Sequence, residues 1–233
     1  ILVRHGQSVW NLENRFTGWV DVELSDKGKL EAEKAGLLIK KRNINIDIYY
    51  SSLQIRANNT LEIIQKTLDD KKDYIKTWQL NERHYGALTS LNKIEMAEKI
   101  GQDQILKFRR SWDIKPEPLD KKSPHHPLNI KTYNDLPRKL IPNTESLKDT
   151  YVRVLEYYEK EIKKNLFNKN VLISAHGNSI RALCKHLFGL DNQQICKLEI
   201  PTGNPLVIKL DEKLNLKNCQ YLDKERASDL LVF

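Results

Sequence analysis

The sequence predicts an α/β fold, with a mostly parallel central sheet, helices on both faces and a long loop and helix insert. Three observations carry that expectation. Short apolar runs ended by turns alternate with helical periodicity in the order strand, helix, strand, helix, insert, helix, strand, helix, strand, which winds a sheet covered on both sides. Two of the apolar runs, 1–3 and 171–175, lead into His-Gly pairs, His5-Gly6 and His176-Gly177. Six of the eight prolines fall between residues 116 and 142, so a long irregular segment interrupts the alternation. The 233 residues are enough for one domain, 1–233, with about 82–145 as the insert.

Taken in order, Ile1, Leu2 and Val3 read as a buried strand stopped by Arg4-His5-Gly6, at the strand end where open α/β sheets hold ligands. A histidine between an arginine and a glycine suits an imidazole presented to an anion, with Gly6 letting backbone amides approach. A strand-end histidine bonded to a neighbouring carbonyl is the plainer alternative. Residues 11–22 read as loop, where Thr17 and Gly18 could offer a hydroxyl and an amide to a phosphate and Trp10, Phe16 and Trp19 pack. Ser25 reads as the cap of a helix to about 41, whose Leu30, Leu37 and Leu38 are expected against the sheet. A strand over 46–50 ends at Ser51-Ser52, and the next helix puts Ala57, Leu61, Ile64 and Leu68 on one stripe with Arg56 in its first turn. A cation there opposes the helix dipole, so either an anion or a surface ion pair accompanies it.

A strand over 74–80 precedes Asn81-Glu82-Arg83-His84-Tyr85-Gly86. Helices follow over 92–100, stopped by Gly101, and up to Arg109-Arg110, while His125 and His126 in the proline-rich part read as solvated. The helix over 145–164 aligns Leu147, Tyr151, Val154, Leu155, Tyr158 and Ile162. After His176-Gly177-Asn178 a helix aligns Ile180, Leu183, Cys184 and Leu187, and a last strand over 206–210 turns at 211–213.

Composition narrows the function. A net charge of +8 points to anionic partners. The lysines are scattered beside glutamates as on a solvated helix face, so a small polyanion held by arginines is expected and nucleic acid is not. No stretch approaches the roughly 18 apolar residues of a membrane helix, and the start lacks signal-peptide order, so no membrane partner and a cytoplasmic location are expected. Cys184, Cys196 and Cys219 are odd in number and lack metal-ligand spacing, so reduced thiols are expected.

A histidine accepts a phosphoryl group on one ring nitrogen if that nitrogen is unprotonated and the other is held as N–H. Arg4 and Arg56 would disfavour the imidazolium at His5 and stabilise charge on a transferring phosphoryl group together with His176. Glu82 is the candidate for proton exchange with the substrate oxygen, a structural Glu-Arg ion pair with Arg83 being the alternative.

The runs LVRHGQS, NRFTGWVDVELSDKG, LNERHYGALT, FRRSWD, AHGNSIRALCKHL and IPTGNPLV, in this order across residues 2 to about 222, resemble the histidine phosphatase superfamily and within it the cofactor-dependent phosphoglycerate mutases. The resemblance implies a phosphoglycerate mutase-like fold, and a phosphoryl transfer between 3-phosphoglycerate and 2-phosphoglycerate that 2,3-bisphosphoglycerate primes without a metal. It implies His5 as the phosphorylated nucleophile, His176 as the group stabilising transfer and Glu82 as proton donor and acceptor, assisted by Arg4 and Arg56. Arg4, His5, Gly6, Gln7, Ser8, Val9, Trp10, Asn11, Thr17, Gly18, Arg56, Glu82, Arg83, His84, Tyr85, Lys93, Arg109, Arg110, Gly177 and Asn178 would line the substrate site. Small phosphorylated three-carbon acids would be the partners, in a homodimer or homotetramer. A bisphosphoglycerate mutase or phosphatase, a broad phosphatase of the same fold, and a non-catalytic phospholigand binder are the competing expectations. The sequence departs from the family pattern at Val9, Ile55, Ser90 and Asn204, and the short tail after 221 is expected to close the site less.

Overall fold

Alternation along the strands sets the layers of the computed structural model, which describes residues 1–227; the last six residues of the tail expected to close the site less lie outside them. Strand β1 (Leu2–Arg4) turns Leu2 to one face and Val3 to the other, and β4 (Val171–Ala175) sends Val171, Ile173 and Ala175 one way and Leu172 the other. Both strands are therefore apolar on both sides, as a central parallel pair must be.

The sheet has the order β3-β2-β4-β1-β5-β6. The strands β3 (Tyr74–Lys76), β2 (Ile48–Ser51), β4 and β1 are parallel, and β5 (Leu206–Leu210) and β6 (Leu216–Tyr221) are antiparallel additions. The sequence reading lacks β6, because its exposed Lys217 and Asn218 carry no apolar alternation; pairing with β5 makes it a strand. The expected strand over 74–80 is shorter, and 78–80 forms a single 3₁₀ turn.

One face carries α2 (Asp26–Lys41) and α3 (Ile55–Leu68), the other α6 (Leu147–Tyr157) and α7 (Gly177–Leu187). Ser25 does cap α2, accepting from the Gly28 amide at 3.1 Å, a contact worth about 1 kcal/mol. The buried stripe of α2 differs from the expectation: Gly28, Ala32, Ala35, Gly36 and Ile39 face inward, and Leu30 and Leu37 are exposed. Small residues win there because α3 comes so near that a Cβ on Gly36 would lie 2.6 Å from the Thr67 Cβ. Beyond α6 the helix widens to a π turn over Tyr158–Ile162, which keeps Tyr158 and Ile162 buried.

Within the insert, α4 (Lys93–Ile100) is capped by Asn92 and ended by Gly101 at φ +94°, and α5 (Gln102–Arg110) follows. The proline-rich stretch is irregular but tied down: Thr132 Oγ1 donates to Asp21 Oδ2 at 2.6 Å, and the Tyr133 hydroxyl donates to the Trp19 carbonyl at 2.5 Å. His126 corrects the reading that placed it in solvent. It is fully buried, Nδ1 accepting from the Leu128 amide at 3.1 Å and Nε2 lying 2.9 Å from Asn143 Oδ1, while half-buried His125 stands edge-on to Trp10.

Candidate active site

Register decides the site. Arg4 pairs with Ala175 and Ser51 with Ser174, so the residues just past β1, β4 and β2 reach one sheet edge together. There the rings of His5 and His176 lie 5.0 Å apart between centroids, tilted by 60°. His5 Nδ1 is 2.6 Å from the Gly6 carbonyl, and Arg56 Nε donates to His5 Nε2 at 3.3 Å. A carbonyl only accepts and a guanidinium only donates, so the proton sits on Nδ1 and the lone pair on Nε2. Burial first, then Arg56 and Arg4, hold His5 well below the ordinary imidazole pKa. His176 is lowered by burial, then by Arg56 and His5; its Nε2 is 2.8 Å from Ser52 Oγ. The alternative of a histidine bonded to a neighbouring carbonyl thus proves true of His5 as well, and the bond is what orients the ring.

Arg56 is buried and not in a surface ion pair. Its guanidinium donates to the carbonyls of Val20 and Gly18, both at 2.9 Å, and to Gln54 Oε1 at 3.3 Å. Gly6 plays another part than expected. The amides of His5, Gly6 and Gln7 donate to the Ala175 carbonyl, Thr60 Oγ1 and Glu31 Oε2. All three are taken up within the protein, so side chains must receive a bound anion. Glycine is required at position 6 because a Cβ would lie 2.1 Å from the Gly28 carbonyl oxygen.

Glu82 comes to the same place, though by another route than an ion pair with Arg83. Its Oε1 accepts from the Arg83 amide at 2.8 Å and from Asn178 through both the amide, 3.2 Å, and Nδ2, 2.8 Å. The Arg83 guanidinium stacks over the Tyr85 ring, 4.6 Å from its centroid. Against the effect of burial, that cation lowers the Tyr85 hydroxyl pKa. Arg4 donates to the Ile200 carbonyl at 2.8 Å, and a Cβ on Gly177 would touch both the Arg4 guanidinium, at 3.6 Å, and Glu82 Oε2, at 3.8 Å.

The remaining candidates divide. Lys93 on α4 has its pKa lowered by burial and feels Tyr85, Arg109, Arg4 and Glu82, which places it at the site. Arg110 forms an ion pair with Glu199 at the rim, and the Arg109 carbonyl accepts from Arg83. Ser8 and Asn11 cap the short helix α1 (Val9–Leu12) reciprocally, and Trp10 lies under the Arg15 guanidinium. His84 is buried, its Nδ1 accepting from the Gly86 amide at 2.9 Å, and burial lowers its pKa to about 3.

Sequence reasoning missed Ser52, Gln54, Glu145, Arg153 and Arg181. Arg153 on α6 donates to both oxygens of Glu145, at 2.7 and 2.9 Å, and to the carbonyls of Gln79, Asn81 and Glu82. Glu145 Oε2 in turn accepts from the His84 amide at 2.8 Å, so the pair brackets the loop that carries Glu82. An arginine lodged in an apolar helix face was the available signal.

A match to the histidine phosphatase superfamily (branch 1) covers residues 1–126 and 116–217. The chain belongs to the histidine phosphatase superfamily. Among superfamily relatives, a 2,3-bisphosphoglycerate-dependent phosphoglycerate mutase of Pelagibacter ubique (strain HTCC1062) is 67% identical over 234 residues, covering 100% of this chain and 98% of its own. The protein of that name from Borreliella burgdorferi (strain ZS7) is 51% identical over 97% of this chain and 92% of its own. Two solved superfamily folds overlay well: mycobacterial hydrolase 1 with a TM-score of 0.69 at 20% identity, covering 94% of each chain, and mycobacterial glucosyl-3-phosphoglycerate phosphatase with a TM-score of 0.66 at 21%, covering 94% of this chain and 95% of its own. Among the described residues no helix is long and apolar enough to cross a membrane, and no group of three or more His, Cys, Asp or Glu is placed to hold a metal ion.

Proposed function

We infer that the protein is a 2,3-bisphosphoglycerate-dependent phosphoglycerate mutase that interconverts 3-phosphoglycerate and 2-phosphoglycerate. The observation that carries this is a full-length relative of that name at 67% identity, supported by two facing neutral imidazoles at the sheet edge. The buried polar atoms without partners fit a ligand rich in phosphate and carboxylate oxygens: Arg4 Nε, Thr17 Oγ1, Arg83 Nη1 and His176 Nδ1. When bound, the bisphosphoglycerate primer supplies the phosphoryl group that readies the enzyme.

In this proposal His5 Nε2 offers its lone pair in line with the phosphorus, and the Gly6 carbonyl stabilises the positive charge that the ring acquires through Nδ1–H. Arg56 moves its Nε–H bond from the ring nitrogen to a phosphoryl oxygen, while Arg4 holds a second one. A Ser52 hydroxyl donating to His176 Nε2 leaves His176 with Nδ1–H as a donor to the transferring group. Glu82 gives or takes the proton of the substrate hydroxyl, help typically worth about a hundred to ten thousandfold. Arg83, Tyr85, Lys93, Arg109 and Arg110 receive the carboxylate and the phosphate that does not react. We extend the proposal to one domain, to a homodimer or homotetramer and to the cytoplasm, which limited proteolysis, sedimentation and fractionation test.

The deciding experiment is a 3-phosphoglycerate assay with and without primer, scoring isomerised product against inorganic phosphate. Turnover should depend on primer, and acid-labile phosphate should appear on His5. In His5→Ala both disappear, a loss of at least about ten thousandfold. Wild-type turnover in that variant, or mostly inorganic phosphate from the wild type, defeats the reading.

A further inference from the structure

The two oxygens of Glu82 are not equivalent. Oε1 accepts three N–H groups, from the Arg83 amide at 2.8 Å, the Asn178 amide at 3.2 Å and Asn178 Nδ2 at 2.8 Å. An oxygen surrounded by donors is a poor place for a proton, since its O–H would have to point at another hydrogen. Oε2 has none of these donors; it lies 3.8 Å from where a Cβ on Gly177 would sit, and the Arg4 guanidinium lies 3.6 Å from the same point.

That asymmetry depends on which way the Asn178 amide points. Flipped, it would put its own oxygen against Oε1 and undo the arrangement. Arg181, one turn further along α7 and buried, settles the matter: Nη1 donates to Asn178 Oδ1 at 2.9 Å, and Nη2 donates to the Ile195 carbonyl at 2.5 Å. A guanidinium has only donors, so Oδ1 must face it. Nδ2 then turns its two hydrogens to Glu82 Oε1 and to the Tyr85 hydroxyl, 3.1 Å away. The Ile195 contact pins the guanidinium to the helix α8 (Asn192–Lys197), so the orientation is imposed from outside the site.

We propose that Arg181 is a positioning residue which, by holding the Asn178 amide in one orientation, confines the exchangeable proton of Glu82 to Oε2. The proposal rests on the acid-base role of Glu82 given above. On that role, the proton leaves Oε2 for the substrate oxygen in one half of the cycle and returns to the same atom in the other, while Oε1 keeps its three donors throughout.

The test compares wild type, Arg181→Met, Arg181→Lys, Asn178→Ala and the Arg181→Met/Asn178→Ala double variant by pH profiles of kcat, KM and thermal unfolding. Glu82→Gln identifies the pH limb that belongs to Glu82. Arg181→Met is expected to lower kcat about thirtyfold, change KM less than about threefold and move that limb. Asn178→Ala should move it the same way, and the double variant should be no slower than Asn178→Ala alone. Arg181→Lys, which keeps the charge and one donor arm, should restore part of the loss, and it carries the same readouts if the Met variant does not fold. A loss of kcat with the limb in place, or losses that multiply in the double variant, overturns the proposal. Failure of the underlying role shows separately, as a Glu82→Gln variant with wild-type kcat and an unchanged limb.

Discussion

The floor of the site and its outer wall use the same kinds of side chain to opposite ends. On the floor, Arg56 is buried and its donors go to Gly18, Val20, Gln54 and His5, and the backbone amides of His5, Gly6 and Gln7 are spent within the protein. On the wall, Arg110 at the end of α5 is 24% exposed and has Glu199 for a partner, and half-buried Lys93 holds its ammonium over the Phe16 ring, 5.7 Å from the centroid. The contrast teaches where each task is carried. A group whose partners are all internal holds one geometry for the chemistry, whereas a cation with loose attachments can exchange them for a ligand.

The strongest way to break the comparison is at Arg56. Arg56→Gln removes the cation next to His5 Nε2 and should lower kcat about a thousandfold or more, read in the coupled assay. Stability should fall as well, by roughly 1–3 kcal/mol for each buried carbonyl left unpaired. A variant within tenfold of wild type would place Arg56 outside the chemistry.

Acid should expose the floor next. His5 and His176 are lowered well below 6.5, by burial foremost and then by Arg56, and His84 to about 3 by burial and then His126. Below pH 6.5 the unfolded chain binds protons that the native state refuses, so stability is lost as pH falls from there towards the folded pKa values. The slope approaches about 1.4 kcal/mol per group per pH unit, or roughly 4 for the three. Urea unfolding at pH 7 and 5.5 measures it, and equal stabilities would mean that the rings are not held neutral.

The smallest effect sharpens the wall. Arg110→Ala should raise KM for 3-phosphoglycerate about tenfold, near 1.4 kcal/mol, while His5 is phosphorylated by the primer at close to the wild-type rate. Equal loss in both steps would move Arg110 from recognition to chemistry.

Much of this is legible in the chain itself. The His-Gly strand ends, the Ser25 cap, the helix ended by Gly101 and the stripe of α3 are signals within a few residues of one another. Ser90 shows how a departure is absorbed: it stands where a glycine is frequent and takes φ +75° itself, with its carbonyl accepting from Arg15 Nε at 2.7 Å. Asn204, polar where an apolar residue is usual, is buried but exchanges hydrogen bonds with the Asp223 backbone at 2.9 and 3.1 Å. The buried face of α2 and the strand β6 were misread because close helix packing and edge pairing, not periodicity, determine them.

By itself, the sequence determined the order of the parallel strands and the long helices between them, the two histidines at strand ends and the family, since each is written in contiguous residues. Tertiary structure alone decided that His5 carries its proton on Nδ1, that Gly6 is there for α2 and not for an anion, and that Arg153 and Arg181 hold the surroundings of Glu82. The reason is physical. These outcomes are set by groups that meet only across the folded chain, as Ser52 meets His176 and Asn178 meets Glu82, and no local pattern encodes which way a ring or an amide will turn.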